Sequence, residues 1–315
     1  MNGARIDSNA AAIARGIGFL RRMQLEWGEF ACRKYADARL SGAGRPDSSP
    51  FATALVLYSL GFAACPELAP MRAKALGFLM EQWEGPGVWR YWSSRNGAPI
   101  DPDLDDTCCV SFALKQAGVA AAGRLGANEP CILENRHASG LFKTWLRHED
   151  ADNDVDGAVN ANVLLYLGER EETTPACRIV ADAIVADREH EASWYYTSAL
   201  ALYYMVSRAF FNGVSGFGAC GEAIVEKTRM RLRDPSRDAM SVALAICILQ
   251  NYEAIGTENS AVRWLVEQQQ AQGHWARSAF YRGPEPPVPH CAWWGSEELT
   301  TALCIEAIAR AEVTQ

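Results

Sequence analysis

Six similar segments constrain the fold of this 315-residue chain more than any other feature. Each has a polar or acidic entrance, then Thr, Ser or Asn, then an apolar run. They are Ser49-Pro50-Phe51-Ala52-Thr53, Leu104-Asp105-Asp106-Thr107, Asp156-Gly157-Ala158-Val159-Asn160-Ala161-Asn162, Ser193-Trp194-Tyr195-Tyr196-Thr197, Arg237-Asp238-Ala239-Met240-Ser241 and Ser296-Glu297-Glu298-Leu299-Thr300-Thr301. Thr53, Thr107, Asn160, Thr197, Ser241 and Thr301 lie at intervals of 54, 53, 37, 44 and 60 residues, each long enough for two helices. Self-similarity at this scale is the mark of a repeated supersecondary unit. Between the segments, residues 8–24, 70–82, 132–147, 174–187, 217–233 and 258–270 are amphipathic, with narrower apolar stripes. Helices apolar all round belong inside and half-polar ones outside. The expectation is an all-α fold: a single α/α toroid of six inner and six outer helices, one domain over residues 1–315. Strands are disfavoured, because the β-branched runs are short and do not alternate with period two. Residues 25–48, 84–103 and 276–295 carry Gly and Pro without helical period and predict long connections.

The four carboxylates of Ile100-Asp101-Pro102-Asp103-Leu104-Asp105-Asp106-Thr107 stand before the apolar run from Cys108 to Leu114. Capping a helix uses one or two. Crowding four together pushes one pKa up, so that one group keeps its proton while its neighbours accept hydrogen bonds. A calcium loop would need Gly and Glu where Asp106 and Phe112 stand. The later run Asp150-Ala151-Asp152-Asn153-Asp154-Val155-Asp156-Gly157, counted from Asp152, puts Val163 at the bidentate position and reads as a solvated loop. An Asp-Asp-x-x-Asp cluster of the kind that holds magnesium on a diphosphate does not occur.

The net charge of -8 argues against nucleic acid as a partner and against more than weak peripheral membrane contact. The N-terminal residues lack a signal-peptide pattern and no apolar run approaches 18 residues, so the expected location is cytoplasmic. Ten scattered cysteines without a C-x-x-C pair predict reduced thiols and no zinc site.

Asp103-Leu104-Asp105-Asp106-Thr107 resembles the D-x-D-D-T signature of class II terpene cyclases, the squalene–hopene cyclase type. Two further elements resemble that family's Gln-to-Gly-x-Trp repeat: Gln82 with Gly87 and Trp89, and Gln268 with Gly273 and Trp275. Gln24, Gly28 and Phe30 form a degraded copy. In the family these elements are structural. The resemblance runs from Phe19 to the last helix but covers one toroid, without the second domain or membrane-docking insert of squalene–hopene cyclases. It therefore implies a monodomain cyclase of prenylated small molecules such as farnesylated aromatics, working without a cofactor. It also implies that Asp105 protonates a carbon–carbon double bond, with Asp103 and Asp106 orienting it.

Alkene protonation needs a strong acid in a dry site. None of the five His, at 137, 148, 190, 274 and 290, falls on an inner segment. The polar residues expected to face Asp105 from the next inner helix are Asn160 and Asn162, which hydrogen-bond without adding charge. Trp194, Tyr195, Tyr196, Tyr203, Phe210, Phe211, Trp293 and Trp294 are candidates for a cation-stabilising wall, Tyr195, Trp293 and Trp294 above all. Four other readings stay open. In the first, the cyclase acts on a prenyl diphosphate in place of a prenylated aromatic. A metal-dependent prenyltransferase subunit shares the toroid but needs a zinc set. A toroidal glycosidase would pair Asp105 with Glu297 or Glu298 across an open cleft. A non-catalytic scaffold would fill the ring centre with side chains.

Overall fold

Our structure is a computed structural model describing residues 2–98, 100–119, 125–147, 153–254, 259–283 and 292–313. Among these residues the repeat unfolds into twelve α-helices of six or more residues. Six are buried along nearly their whole length: α2 (Pro50–Leu60), α4 (Leu104–Gln116), α6 (Gly157–Leu167), α8 (Ala199–Phe211), α10 (Ala239–Asn251) and α12 (Glu297–Val313). Each packs on the next, and α12 closes back on α2. Outside this ring lie α1 (Asn2–Met23), α3 (Leu68–Glu81), α5 (Glu129–Glu134), α7 (Thr174–Val185), α9 (Gly221–Leu232) and α11 (Asn259–Glu267). The toroid is thus as expected.

The repeated polar entrances are helix caps. Ser49, Asp103, Asp156, Asp238 and Ser296 each accept a hydrogen bond from a free N–H one to two residues into the helix they precede. The repeated Thr or Asn binds the connection that arrives from outside. Thr53 accepts from Phe30 N (3.0 Å), Thr107 from Trp89 N (3.1 Å), Asn160 from Phe142 N (2.8 Å) and Thr301 from Trp275 N (3.2 Å). A buried backbone N–H left unpartnered costs about 1–3 kcal/mol, which explains why a hydroxyl or amide recurs in otherwise apolar helices.

The Gln elements are real, but two are shifted by one position. Gln24 gives its amide to Gly28 O and Met71 O, and Gln269, not Gln268, gives its amide to Gly273 O and Ala12 O. Trp83 holds the corresponding place four residues before Gly87, while Gln82 instead accepts from Ser94 N. The glycines are forced: a Cβ on Gly28 (φ +101°) would stand 2.1 Å from Lys74 O, and one on Gly273 (φ +94°) 2.4 Å from Arg15 O. Trp89 and Trp275 are fully buried and donate from their indoles to Leu79 O and Leu265 O.

Two expectations need correction. The third outer helix stops at Glu134 and does not run to 147, because Asn135 leaves the helix and its amide binds Lys143 O and Trp145 O, folding residues 135–146 back across the mouth. The long connections also pair into a four-stranded antiparallel sheet: β1 (Cys32–Tyr35), β2 (Arg45–Asp47), β3 (Tyr281–Gly283) and β4 (Ala292–Gly295), in the order β2-β1-β4-β3. Strands of three or four residues show no readable alternation, and β1 finds β4 only after the ring has closed. The nine described cysteines are free thiols.

Candidate active site

The N-terminal ends of α2, α4 and α6 meet beneath the sheet around a cavity of about 400 Å³, within the usual range of roughly 300–1,000 Å³ for small-molecule sites. Its wall is largely aromatic: Phe51, Tyr91, Trp92, Trp145, Tyr195, Tyr196, Tyr281 and Trp294. Tyr281 and Trp294 sit opposite each other on β3 and β4 and stack with centroids 5.8 Å apart, and Tyr91 meets both edge-on. The three carboxylates on the wall are Asp103, Asp105 and Asp106.

Asp105 lies in the first turn of α4, and both of its oxygens are held. Asn162 Nδ2 donates to Oδ1 at 2.5 Å and the Tyr196 hydroxyl donates to Oδ2 at 2.6 Å. Behind Asn162 stands Arg208, whose guanidinium donates to Asn162 Oδ1 at 2.5 Å and to Cys109 Sγ at 3.4 Å. Arg208 is 2% exposed and lies over the rings of Tyr58 and Tyr204. Because the cation takes the amide oxygen, the amide nitrogen of Asn162 must point at the carboxylate. Burial pushes the Asp105 carboxyl above its ordinary value, while the Tyr196 and Asn162 hydrogen bonds and the charge of Arg208 pull it back. The group is therefore protonated more readily than a surface aspartate, yet its conjugate base has donors waiting.

Asp103 and Asp106 are buried side by side. Asp103 Oδ1 caps α4 through Asp106 N, whereas Asp103 Oδ2 and Asp106 Oδ1 have no partner among the described residues. Desolvation raises both carboxyls, aided by repulsion from Asp105 on each and from Asp103 on Asp106, so the pair holds a proton near neutral pH. Asp156, the cap of α6, receives Trp194 N and Tyr195 N on its second oxygen and thereby ties the Tyr195-Tyr196 segment to the site.

Of the residues expected at the site, the structure gathers Asp103, Asp105, Asp106, Asn162, Tyr195 and Trp294. It does not bring Asn160 there: that side chain is spent on Phe142 N, Phe142 O and Asp156 O. Asn160 occupies the place of Thr107 in the repeat, so its side chain serves the connection and leaves Asn162, half a turn on, to reach Asp105. Trp194 contributes backbone only and its ring is 40% exposed. Tyr203 turns outward to Glu189. Trp293 points to the face of β4 opposite Trp294, as strand alternation requires. Phe210 stacks on Tyr252, and Phe211 is at the other end of the ring. Arg208 is the residue that the sequence reading missed. A charged side chain inside the apolar run from Leu200 to Ala209 was its available signal.

Glu297 pairs with Arg277 at 2.7 Å, and Glu298 is buried and pushed up to about 7 by desolvation; neither lines the cavity. Of the second acidic run, residues 150–152 lie outside the described residues, as do His148 and His290. Asp154 and Asp156 are engaged in hydrogen bonds, and no cluster of three His, Cys, Asp or Glu side chains suited to a metal occurs among the described residues. No described helix is long and apolar enough to cross a membrane.

No protein-family model and no curated protein matches the sequence. Solved structures do resemble it along nearly the whole chain. A protein from Actinoplanes superposes with a TM-score of 0.76 at 17% identity, over 96% of this chain and 99% of that one. A variant of type II terpene cyclase MstE from Scytonema, in complex with its substrate geranylgeranyl dihydroxybenzoate, superposes at 0.74 with 15% identity over 99% of both chains. The chain shares its fold with that type II terpene cyclase. An alpha-amylase from Clostridium perfringens shares the toroid more loosely, at 0.60 and 8% identity over 95% of this chain and 97% of that one. One ring thus hosts different chemistries, and the site has to distinguish them.

Proposed function

We propose that this protein is a class II terpene cyclase that protonates a linear prenyl chain of farnesyl or geranylgeranyl size, carried by a small aromatic acceptor, and folds it into rings without loss of diphosphate. One observation carries the reading: Asp105, the one of the three wall carboxyls held at both oxygens by neutral side-chain donors, faces a cavity lined by eight aromatic rings. The overall reaction is an isomerisation.

Asp105 gives its proton to the terminal double bond. The carboxylate left behind keeps the hydrogen bonds from Asn162 and Tyr196, and Arg208 offsets its charge through the Asn162 amide. Donors already in place need no reorganisation as charge develops. Asp103 and Asp106 stay partly protonated and so add little negative charge beside the acid. The cation formed meets Phe51, Tyr91, Tyr281 and Trp294, whose ring faces attract it by roughly 0.5–2 kcal/mol each. Lys34, Arg147 and Arg282 line the same cavity in a chain of net charge -8, which favours an acceptor bearing an anionic group. A glycosidase would need a second carboxyl facing Asp105 across the cavity, and Glu297 and Glu298 lie outside it.

The test is incubation with farnesylated and geranylgeranylated dihydroxybenzoates in D2O. A cyclic isomer with one deuterium is expected. Absence of any cyclic product, or a cyclic product without deuterium, would sink the proposal.

A further inference from the structure

A protonated prenyl chain ends its cyclisation as a carbocation, and the reaction closes only when that cation loses a proton or is captured. The protein must therefore provide a way out for a proton as well as a way in. We infer that Tyr195, backed by Asp154, is the base that ends the reaction; the inference rests on the cyclase reading above.

Two tyrosines adjacent in sequence line the cavity, and they have opposite partners. Tyr196 donates to Asp105, the entering acid. Tyr195 donates to Asp154 Oδ2 at 2.6 Å, while the indole of Trp145 donates to the Tyr195 oxygen at 3.3 Å. Asp154 is fixed from its other side by the Thr144 hydroxyl at 2.6 Å. A phenol is a weak base by itself. With its own proton already directed at a carboxylate, its oxygen accepts a proton as the first one leaves. In the closing step a C–H bond next to the cationic carbon breaks and its electron pair becomes the product double bond. The proton passes to Tyr195 Oη while the Tyr195 hydroxyl proton moves to Asp154. Asp154 is half-buried and returns the proton to solvent, so water need not enter the cavity. Asp105 recovers a proton separately, and the account balances.

The other hydroxyls on the wall are less suited. Tyr196 is committed to the acid, and Tyr281 donates to Cys32 Sγ at 3.0 Å. Tyr91 lies 3.1 Å from the Tyr281 hydroxyl and 3.4 Å from Asp47, beyond a good O–H···O bond. Among the described residues, Tyr195 is the one phenol on the wall with a short bond to a carboxylate that is not the acid; the Thr144 hydroxyl on the wall also donates to Asp154, but an aliphatic alcohol releases its proton far less readily than a phenol.

The experiment is product analysis of wild type, Tyr195→Phe and Asp154→Asn with geranylgeranyl dihydroxybenzoate. Both variants should still consume it and still take up one deuterium from D2O. The main alkene should fall at least fivefold relative to isomeric alkenes and hydrated products, because a cation without its base persists until another acceptor finds it. Asp154→Asn keeps the hydrogen-bonded shape, so a change there is not a folding effect. An unaltered product ratio in both variants would overturn the inference alone. So would a wild-type product closed by water or phenol capture, or a ratio that moves in Tyr91→Phe and not in Tyr195→Phe. Absence of any wild-type product would overturn the cyclase reading and this inference together.

Discussion

Asp105, the proposed acid, is not the group that caps its helix. Asp103, not Asp105, caps α4, so Asp105→Asn keeps the helix entrance and most of the side chain's hydrogen bonding while removing the transferable proton. Cyclisation should be abolished with folding stability within about 1 kcal/mol of wild type, measured by product formation and thermal melts. Arg208→Met probes acidity. Arg208 lowers the Asp105 carboxyl both by its charge and by orienting Asn162, so its loss lets that carboxyl rise further. The acid then stays protonated to higher pH but gives its proton less readily. The alkaline limb of the kcat profile should move up while the maximum falls, by up to about tenfold per pKa unit. Asp103 contributes to stability with the opposite sign to a salt-bridged carboxylate. Burial, together with the Asp105 carboxyl and against hydrogen bonds from Asp106, raises it from 3.8 to about 8 in the native state, so it holds a proton that the unfolded chain has lost. This stabilisation is complete below pH 3.8 and lost as pH rises through about 8. Wild-type Tm should decline from pH 5 to 9, and Asp103→Asn, which can still cap the helix, should flatten that decline.

At the scale of elements, four of the connections from outside are each fastened by one hydrogen bond to an inner helix and one close glycine contact. Gly273→Ala must hold an unfavourable φ and also displace the α1 backbone at Arg15, so a loss of roughly 3 kcal/mol is expected. Gly42 has φ +77° but nothing within 4 Å of an added Cβ. Gly42→Ala should therefore cost only about 1 kcal/mol, the strain of the left-handed conformation. Equal losses in denaturant melts of the two variants would refute the close-contact account. These fastenings were legible as a repeat because the same polar residue must return wherever a buried N–H arrives. The register of the Gln was not, since two consecutive glutamines, Gln268 and Gln269, fit the spacing about equally and only packing selects the one that reaches Ala12 O.

For the whole molecule, the ring supplies rigidity and the connections supply the cavity roof. Lys34, Tyr281 and Trp294 belong to three strands of the sheet, which come from opposite ends of the chain. Trp294→Ala should enlarge the cavity and remove the ring stacked on Tyr281. The expected outcome is a wider mixture of cyclic products with continued substrate consumption, read by mass spectrometry. Chelation with EDTA should leave turnover of a dihydroxybenzoate substrate unchanged, because the proposed step starts from a carboxyl proton.

Local pattern determined the helical toroid and the six entrances, because helical period and capping act over a few residues; crowding marked the acidic cluster, and the choice of Asp105 within it follows from the family resemblance. Tertiary structure decided which asparagine meets the acid. Asn160 and Asn162 are both fully buried in one helix, and only the arrival of Phe142 commits the first to the backbone and frees the second for Asp105. It also decided that Arg208 stands behind Asn162 and that Trp294, not Trp293, faces the cavity. Those assignments depend on contacts between residues 46 and 247 positions apart, which no local pattern encodes.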